Sequence, residues 1–302
     1  RNGTQSMTDV GGNHEDYTNI TIGTIIGVSI LIIIYLIFSG VGTNISENSK
    51  TFDSKSWLVF LFRMMCFAFC AYAIIFMFRC GPANMHVVSL KDNKEILMHP
   101  IGFQKFVTFS SWTLLSTTGY FLIALINQSQ SSLGFERLSW LLSLQTILFC
   151  TGVSMAFLTA TVVRYIILPN MVQNNNPHTH MFLYHEQIMH NFAAVFLTLE
   201  MLIIQPNLHP KFAILGLLIG IVYVTFAYAI AYFGGGYFVY SFLHPAPKIA
   251  PLFAVGLATG IAVFYLGIWL LSLLQDSYGW LSVIISTLWI SMIVQFKPNS
   301  IT

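Results

Sequence analysis

Charged residues are scarce in this sequence. Asp, Glu, Lys and Arg make up 8% of its 302 residues, whereas hydrophobic residues make up 56%. A soluble domain of this length needs roughly a quarter of its residues charged to cover its surface. The shortage excludes a soluble binding module and indicates that most of the surface faces lipid. The net charge of +2 is too small to indicate a nucleic-acid partner, and we expect none.

Motifs for metals and cofactors are missing as well. The sequence has four cysteines but no CxxC pair, so neither a zinc site nor a redox pair is indicated. It has no Gly-rich phosphate loop, no HExxH motif and no GxSxG elbow. A haem held between helices needs histidines in the middle of neighbouring spans, and no predicted span has one there. We therefore expect no cofactor and no metal site.

Long apolar runs dominate what the sequence does contain. A hydrocarbon core of about 30 Å takes about 20 helical residues. Runs of about that size are Thr21–Val41, Trp57–Phe78, Phe106–Ile126, Leu138–Leu168, Ile188–Ile204, Phe212–Phe233, Ile249–Leu274 and Tyr278–Val294. They lack the alternation of barrel strands, which favours helices. We predict an all-α, polytopic membrane helix bundle of about eight transmembrane helices in one domain, residues 21–295, with polar tails at 1–20 and 296–302.

The predicted spans divide the loops between two faces, and we call the face of the N-terminus side A and the opposite face side B. Eight crossings place on side A the loop before the third span, the Asn-rich loop after the fourth, the Gly/Pro-rich loop after the sixth, and the C-terminus. Side A carries eight Lys and Arg residues against four on side B. This excess favours a cytoplasmic or equivalent position for side A.

Histidines cluster near the side-A ends of the predicted helices. Glu186 lies four residues before His190, on the same helical face, where its carboxylate can hold the imidazole in one tautomer. Thr108 begins the third span on the same side, so a hydroxyl and an imidazole can meet at one depth, as an activated nucleophile requires. The alternative for Thr108 is a hydrogen bond to its own helix backbone. The clustered histidines are His99, His178, His180, His185, His190 and His244.

Two charged residues lie inside apolar runs. Arg63 is about 9 Å inside the second span, counted from side B, and Glu200 lies at a similar depth in the fifth. An isolated charge at this depth costs several kcal/mol, so we predict a structural ion pair between Arg63 and Glu200. The alternative is that Glu200 lines a polar cavity reaching inward from His190. Ten residues separate these two groups by about 15 Å, so Glu200 does not orient His190.

Several short segments together resemble a known family. Lys105–Phe109 opens the third span and Met189–Asn191 opens the fifth, with Glu200 ten residues further on. Tyr237–Leu243 then leads to Phe264–Gly267 in the seventh. In this order and spacing they resemble the androgen-induced, FAR-17a-type family of six-span membrane proteins, over roughly residues 57–274. Some animal members are threonine hydrolases that split fatty acid esters of hydroxy fatty acids.

The resemblance implies roles for two residues and conflicts with two features. Thr108 matches the family's nucleophile, and His190 matches its essential histidine. The first and last predicted spans have no counterpart in a six-span core. Side A would be the outer or lumenal face in the family's topology, against the Lys and Arg count. Extra helices of this kind are expected where a scaffold has been recruited into a larger assembly.

Two functions follow as hypotheses. The first is a membrane-embedded lipid ester hydrolase, or a scaffold derived from one, with Thr108 as nucleophile, His190 as base and Glu186 or another acid orienting His190. The alternative is a non-catalytic, lipid-binding subunit of a large membrane complex, for example a respiratory one, favoured by the extra spans and by a start at Arg1 that suggests upstream processing. Membrane lipids, and other membrane subunits under the alternative, are the expected partners. The expected location is an ER-type endomembrane or the mitochondrial inner membrane. A small-solute transporter is less favoured, because the spans carry no series of charges.

Overall fold

The computed structural model describes residues 16–297 and is 77% helical with little sheet, which confirms the all-α class. Residues 1–15 of the predicted N-terminal tail and residues 298–302 lie outside the described residues. Within 16–297, seven helices are long and apolar enough to cross a membrane. The first six are α1 (Thr18–Phe38), α2 (Trp57–Arg79), α3 (Phe109–Ser132), α4 (Ser139–Gln173), α5 (Tyr184–Ile204) and α6 (Pro210–Phe233), and the seventh is Ala250–Ile293. The chain is therefore an integral, multi-pass membrane protein.

The seventh helix consists of two segments. Tyr278 has non-helical backbone angles (φ −143°, ψ 63°) in the middle of its 44 residues. Gly267 and Trp289 would lie about 33 Å apart in a straight helix, yet a Cβ added at Gly267 would come within 2.3 Å of the Trp289 ring. The two halves therefore fold back on each other as a hairpin. We call them α7 (250–277) and α8 (279–293), and they correspond to the last two predicted runs.

Hydrogen bonds between loops and helix ends agree with this topology. On side A, the backbone N–H of Tyr17 donates to the carbonyl of Ala246 at 3.1 Å, so the start of α1 lies beside the loop after α6. The end of α8 is also on side A. Arg164, in the side-A part of α4, donates to the backbone carbonyls of Ser291 and Val294 at that end. On side B, Lys211 donates to the carbonyl of Ser39 at 2.9 Å, joining the start of α6 to the end of α1.

The helix α4 is the centre of the bundle and α1 is at its edge. In the most apolar stretch of α4, 72% of the residues are buried, whereas in that of α1 only 11% are. α1 packs on α6 and α7, and its buried residues are Thr21 and Ile32. The remaining apolar side chains of α1 are largely exposed, as expected for a helix that faces lipid.

Side A carries a small sheet where the sequence indicated only a loop at residues 80–104. The strands are β1 (Met85–Ser89), β2 (Glu95–Met98) and β3 (Tyr237–Phe238), all antiparallel, in the order β2-β1-β3. Strict alternation of apolar and polar residues is the signal of a half-buried strand, and neither Met85–Ser89 nor Glu95–Met98 alternates. Shorter helical segments occur at Val41–Asn48, Ser49–Phe52, Gly102–Val107, Thr179–Phe182 and Ser241–Leu243.

Near side A, the helices α4 and α5 are not regular α-helices, and α3 and α5 do not begin where the sequence predicted. α4 contains a π turn at Val163–Ile167, and α5 contains another at Ile188–Phe192. α5 begins at Tyr184, four residues before the predicted start, because the π turn belongs to a longer helix. α3 begins at Phe109, three residues after the predicted start. π turns inside α-helices often lie at functional sites, and the second of these contains His190.

Candidate functional site

A cavity of about 240 Å³ opens between the sheet and the side-A ends of the helices. The start of α3, the π turn of α4, the start of α5 and the segment after β3 enclose it. Thr108, Glu186 and His190, the three predicted catalytic residues, all line it. We call it the side-A cavity. Residues that are distant in sequence therefore share one partly polar space at the predicted depth.

Thr108 is the N-cap residue of α3. Its hydroxyl oxygen accepts a hydrogen bond from the Ser111 backbone N–H at 3.2 Å, and the Ser111 hydroxyl donates to the Thr108 carbonyl at 2.7 Å. Its backbone is extended (φ −85°, ψ 147°), as is usual for an N-cap. Thr108 therefore bonds its own helix backbone, as the alternative prediction had it. The capping bond uses a lone pair and leaves the hydroxyl proton available.

The backbone on both sides of Thr108 is held by buried tyrosines. Tyr223 donates its hydroxyl to the Val107 carbonyl at 3.0 Å. The Phe109 N–H donates to the Tyr240 hydroxyl at 3.1 Å. These bonds join the start of α3 to α6 and to the segment after β3, so the Thr108 hydroxyl is presented from a fixed backbone.

Lys105 lines the side-A cavity, but its ammonium is engaged elsewhere. The Nζ atom donates to the Met77 carbonyl at 2.6 Å and also to the Gly81 carbonyl. Both acceptors lie at the end of α2, where a cation is favourable. Lys105 therefore anchors the segment that leads to Thr108 and is not a free charge of the cavity.

Glu186 connects two histidines of α5. Its Oε2 lies 3.4 Å from His190 Nε2, and its Oε1 lies 3.3 Å from His185 Nε2. The contact with His190 has the predicted spacing of four residues. His185 is an equivalent partner that the sequence analysis counted in the cluster without giving it a role. Because His185 is adjacent to Glu186 in the chain, a contact between the two could have been predicted from the sequence.

His190 is arranged as a base held by a carboxylate. The residue is 4% exposed. Glu186 faces Nε2 and so favours the tautomer with its proton on that nitrogen, which leaves the lone pair on Nδ1. Nδ1 is buried and has no hydrogen-bond partner among the described residues. The same is true of Nδ1 of His185. Each imidazole therefore has one ring nitrogen whose lone pair is not used by another described residue.

Thr108 and His190 line one cavity without touching. Among the described residues, no hydrogen bond joins the Thr108 hydroxyl to either imidazole of α5. Catalytic hydrogen bonds are often long or absent before substrate binds. The cavity between them has room for roughly twenty water-sized groups, at about 10–15 Å³ for each.

The other clustered histidines divide between the cavity and its surroundings. His180 lines the cavity, and burial lowers its pKa below the ordinary value while the Glu186 carboxylate opposes the shift. His86, which is not one of the clustered histidines, also lines the cavity. It lies on β1 and pairs with Glu95 of β2 at 2.8 Å. The sequence analysis predicted neither strand and therefore did not predict this pair. His244 is outside the cavity lining, where it packs against the Phe238 ring.

Arg63 and Glu200 meet in the structure as the sequence predicted. Arg63 donates to Glu200 Oε1 from Nε at 2.8 Å and from Nη2 at 2.6 Å. The Tyr120 hydroxyl donates to the same oxygen at 2.8 Å. The exposed fractions of Arg63 and Glu200 are 1% and 0%. Glu200 is absent from the lining of the side-A cavity, so the alternative reading of Glu200 as a cavity residue is wrong.

The chain was compared with models of protein families, with curated proteins and with solved structures, and none of the three comparisons found a match. Within residues 16–297, no group of three His, Cys, Asp or Glu side chains is arranged to hold a metal ion. The geometry of the side-A cavity therefore carries the functional argument.

Proposed function

We propose that this protein is a membrane-embedded hydrolase of long-chain esters, of the type that splits fatty acid esters of hydroxy fatty acids. One observation carries the proposal: a threonine hydroxyl on a fixed backbone lines the same cavity as a buried imidazole whose Nε2 faces a carboxylate. The cavity lies at the side-A ends of membrane helices, where the ester groups of lipids are found. The resemblance to the androgen-induced family assigns the same two residues the same roles.

In the proposed reaction, the Thr108 hydroxyl oxygen attacks the ester carbonyl carbon while Nδ1 of His190 takes the hydroxyl proton. The bond between the carbonyl carbon and the alkoxy oxygen breaks, and His190 returns the proton to the leaving hydroxy acid. Water then attacks the acyl-threonine with His190 again as base, and fatty acid and Thr108 are released. Glu186 stabilises the imidazolium that forms in each step.

Tyr240 is the proposed donor to the developing oxyanion. Its hydroxyl oxygen accepts from the Phe109 N–H, and this bond does not use the hydroxyl proton of a residue that lines the cavity. Burial raises the pKa of Tyr240, which keeps the phenol protonated. A donor fixed at the start of α3, beside the nucleophile, is where such a group is required.

Two substitutions at Thr108 separate catalysis from folding. Thr108→Asn keeps an N-cap at least as good as threonine but removes the nucleophile, whereas Thr108→Ser keeps both. We expect Thr108→Asn to lose at least a hundredfold in hydrolysis of a fatty acid ester of a hydroxy fatty acid, and to lose labelling by a fluorophosphonate probe. Thr108→Ser should retain measurable turnover.

The histidines require their own comparison. We expect His190→Ala to lose about a hundredfold or more in turnover, and His185→Ala to lose much less if His190 is the base. The same size of effect at His185 would reassign the base. Wild-type protein in lipid that turns over no long-chain ester would refute the hydrolase proposal.

The capping role of Thr108 favours a second candidate function. A threonine at an N-cap stabilises its helix, so the presence of Thr108 is explained even if the protein is not an enzyme. The chain would then be a non-catalytic subunit of a membrane complex, with a lipid in the side-A cavity. Purification from the native membrane tests this: a stable, stoichiometric complex with other subunits supports it, and an isolated, probe-reactive protein supports the hydrolase.

A further inference from the structure

A second cavity lies beside the first, between α1, α4, α6 and α7. Its volume is about 120 Å³, and its wall is mostly apolar, with Val28, Leu217 and Ile261 as examples from α1, α6 and α7. We call it the lateral chamber. It begins at side A and extends inward along α1 from Thr21 to Ile32, a distance of about 16 Å.

Three of the hydroxyl groups along the lateral chamber are already hydrogen-bonded to protein. Thr21 donates to the Pro245 carbonyl at 2.8 Å, and Ser29 donates to the Ile25 carbonyl at 2.7 Å. Thr159 shares a hydrogen bond with a second threonine. A water molecule needs two or more polar partners to occupy a cavity, and an apolar cavity without them stays dry and takes apolar ligands. The lateral chamber therefore suits a hydrocarbon.

The lateral chamber and the side-A cavity adjoin. Ser110, Ile167, Tyr240 and Phe242 line both of them. Ser110 and Tyr240 both carry hydroxyl groups, so the boundary is polar on one side of an otherwise apolar wall. A ligand that fills both spaces must have a polar group at this boundary and a hydrocarbon chain beyond it.

The wall that α1 supplies is held at its two ends. Thr21 is fixed by its bond to the Pro245 carbonyl, and Ile32 is buried against the core. Ile25 and Val28, between these two points, line the lateral chamber. α1 therefore spans the chamber and separates it from lipid, although this helix has no counterpart in a six-span core.

We propose that the lateral chamber binds the single hydrocarbon chain of an amphiphile whose carbonyl-bearing polar group lies between Ser110 and Tyr240. The available volume of about 120 Å³ is slightly smaller than the cavity of about 150 Å³ that takes one benzene ring, so it accommodates a segment of one chain and not the two chains of a membrane phospholipid. This inference goes beyond the hydrolase proposal, because it concerns binding and holds whether or not Thr108 reacts.

Two glycines provide a matched pair of variants. Gly220 lines the chamber, and a Cβ added there meets nothing closer than the Ile261 Cδ1 atom at 3.9 Å, so Gly220→Leu places a side chain into empty space. Gly256 is exposed on α7, with nothing within 4 Å of an added Cβ. Both changes raise helix propensity. Val28→Phe fills the chamber from the opposite wall and serves if Gly220→Leu does not purify as a monodisperse protein.

The probe is palmitic acid with a diazirine near its methyl end, added to protein in phosphatidylcholine nanodiscs. After irradiation, we expect labelled peptides from the chamber walls of α1, α6 and α7, and loss of label when unlabelled palmitic acid is in excess. Gly220→Leu and Val28→Phe should reduce the labelling at least tenfold, and Gly256→Leu should leave it unchanged.

Labelling that is equal in all variants, or that maps to lipid-facing surfaces, would overturn the proposal. So would the absence of labelling in nanodiscs, because the chamber would then be filled by two-chain lipid. The same measurement on Thr108→Asn separates this inference from the hydrolase proposal. Undiminished labelling of that variant supports the chamber even where hydrolysis is absent, and its loss would overturn a binding role that is independent of Thr108.

Discussion

The buried ion pair between Arg63 and Glu200 predicts a specific pattern of stabilities. Arg63 donates both to Glu200 and to two uncharged acceptors, Gln128 Oε1 and the Phe52 carbonyl, each at 3.0 Å. Arg63→Leu would leave the Glu200 carboxylate buried with only the Tyr120 hydroxyl as a donor. Breaking a buried pair on one side costs about 3–5 kcal/mol. We expect the same cost for Glu200→Leu, which leaves a buried guanidinium.

The double variant should be milder than either single one. Replacing both charges removes the stranded ion, and what remains is unsatisfied neutral groups on Gln128, Phe52 and Tyr120. At about 1 kcal/mol for each of these three groups, the lower end of the cost of an unsatisfied neutral group, we expect a total loss of about 3 kcal/mol, whereas independent single effects would sum to about 6–10 kcal/mol.

Unfolding of the purified protein by SDS in mixed micelles measures these differences. Arg137→Ala is the control, because Arg137 pairs with Asp53 at 3.0 Å while about a quarter of each side chain is exposed. Such a pair contributes about 0–1 kcal/mol. Additive losses in the double variant, or a loss at Arg63 no larger than that at Arg137, would refute the reasoning.

Three further predictions concern the topology and the site. Single-cysteine variants at Lys50 and Lys94 should react with an impermeant label from opposite faces, and labelling from the same face would contradict eight crossings. Gly267→Ala should destabilise the protein by about 1–3 kcal/mol in the same unfolding assay, because its Cβ would overlap the Trp289 ring; an unchanged stability would contradict the hairpin. Thr108→Ala should cost about 1 kcal/mol through the lost N-cap, with Thr108→Asn near wild type, and equal losses in both would show that the cap contributes nothing.

Much of the fold could be predicted from the sequence because lipid imposes strict rules. Backbone groups in a hydrocarbon environment must be paired within the helix, so length and composition identify the spans. The last two runs were predicted as separate helices, because Asp276 and the polar residues beside it interrupt hydrophobicity between α7 and α8. The structure separates them at Tyr278, whose backbone angles are not helical. The ion pair of Arg63 and Glu200 followed from the same rule, since neither charge is tolerable alone at that depth.

Local geometry near side A could not be predicted in the same way. The strands β1 to β3 are short and outside the apolar runs, and their pairing joins residues 85–89 to residues 237–238. A π turn changes the direction of side chains without changing composition, so the position of His190 relative to Thr108 has no signature in the sequence. By contrast, the contact of His185 with Glu186 could have been predicted, because the two residues are adjacent in the chain.

The sequence by itself determined that this chain crosses the membrane about eight times, that two buried charges must pair, and that a threonine and several histidines lie at one face. These features follow from the cost of placing unpaired polar groups in lipid and from the fixed rise of each residue along a helix. Only the tertiary structure decided which histidines line the cavity with Thr108, that Thr108 also caps α3, and that an apolar chamber under α1 adjoins the cavity. Those features depend on packing between helices that are far apart in sequence, where shape and not composition determines what is brought together.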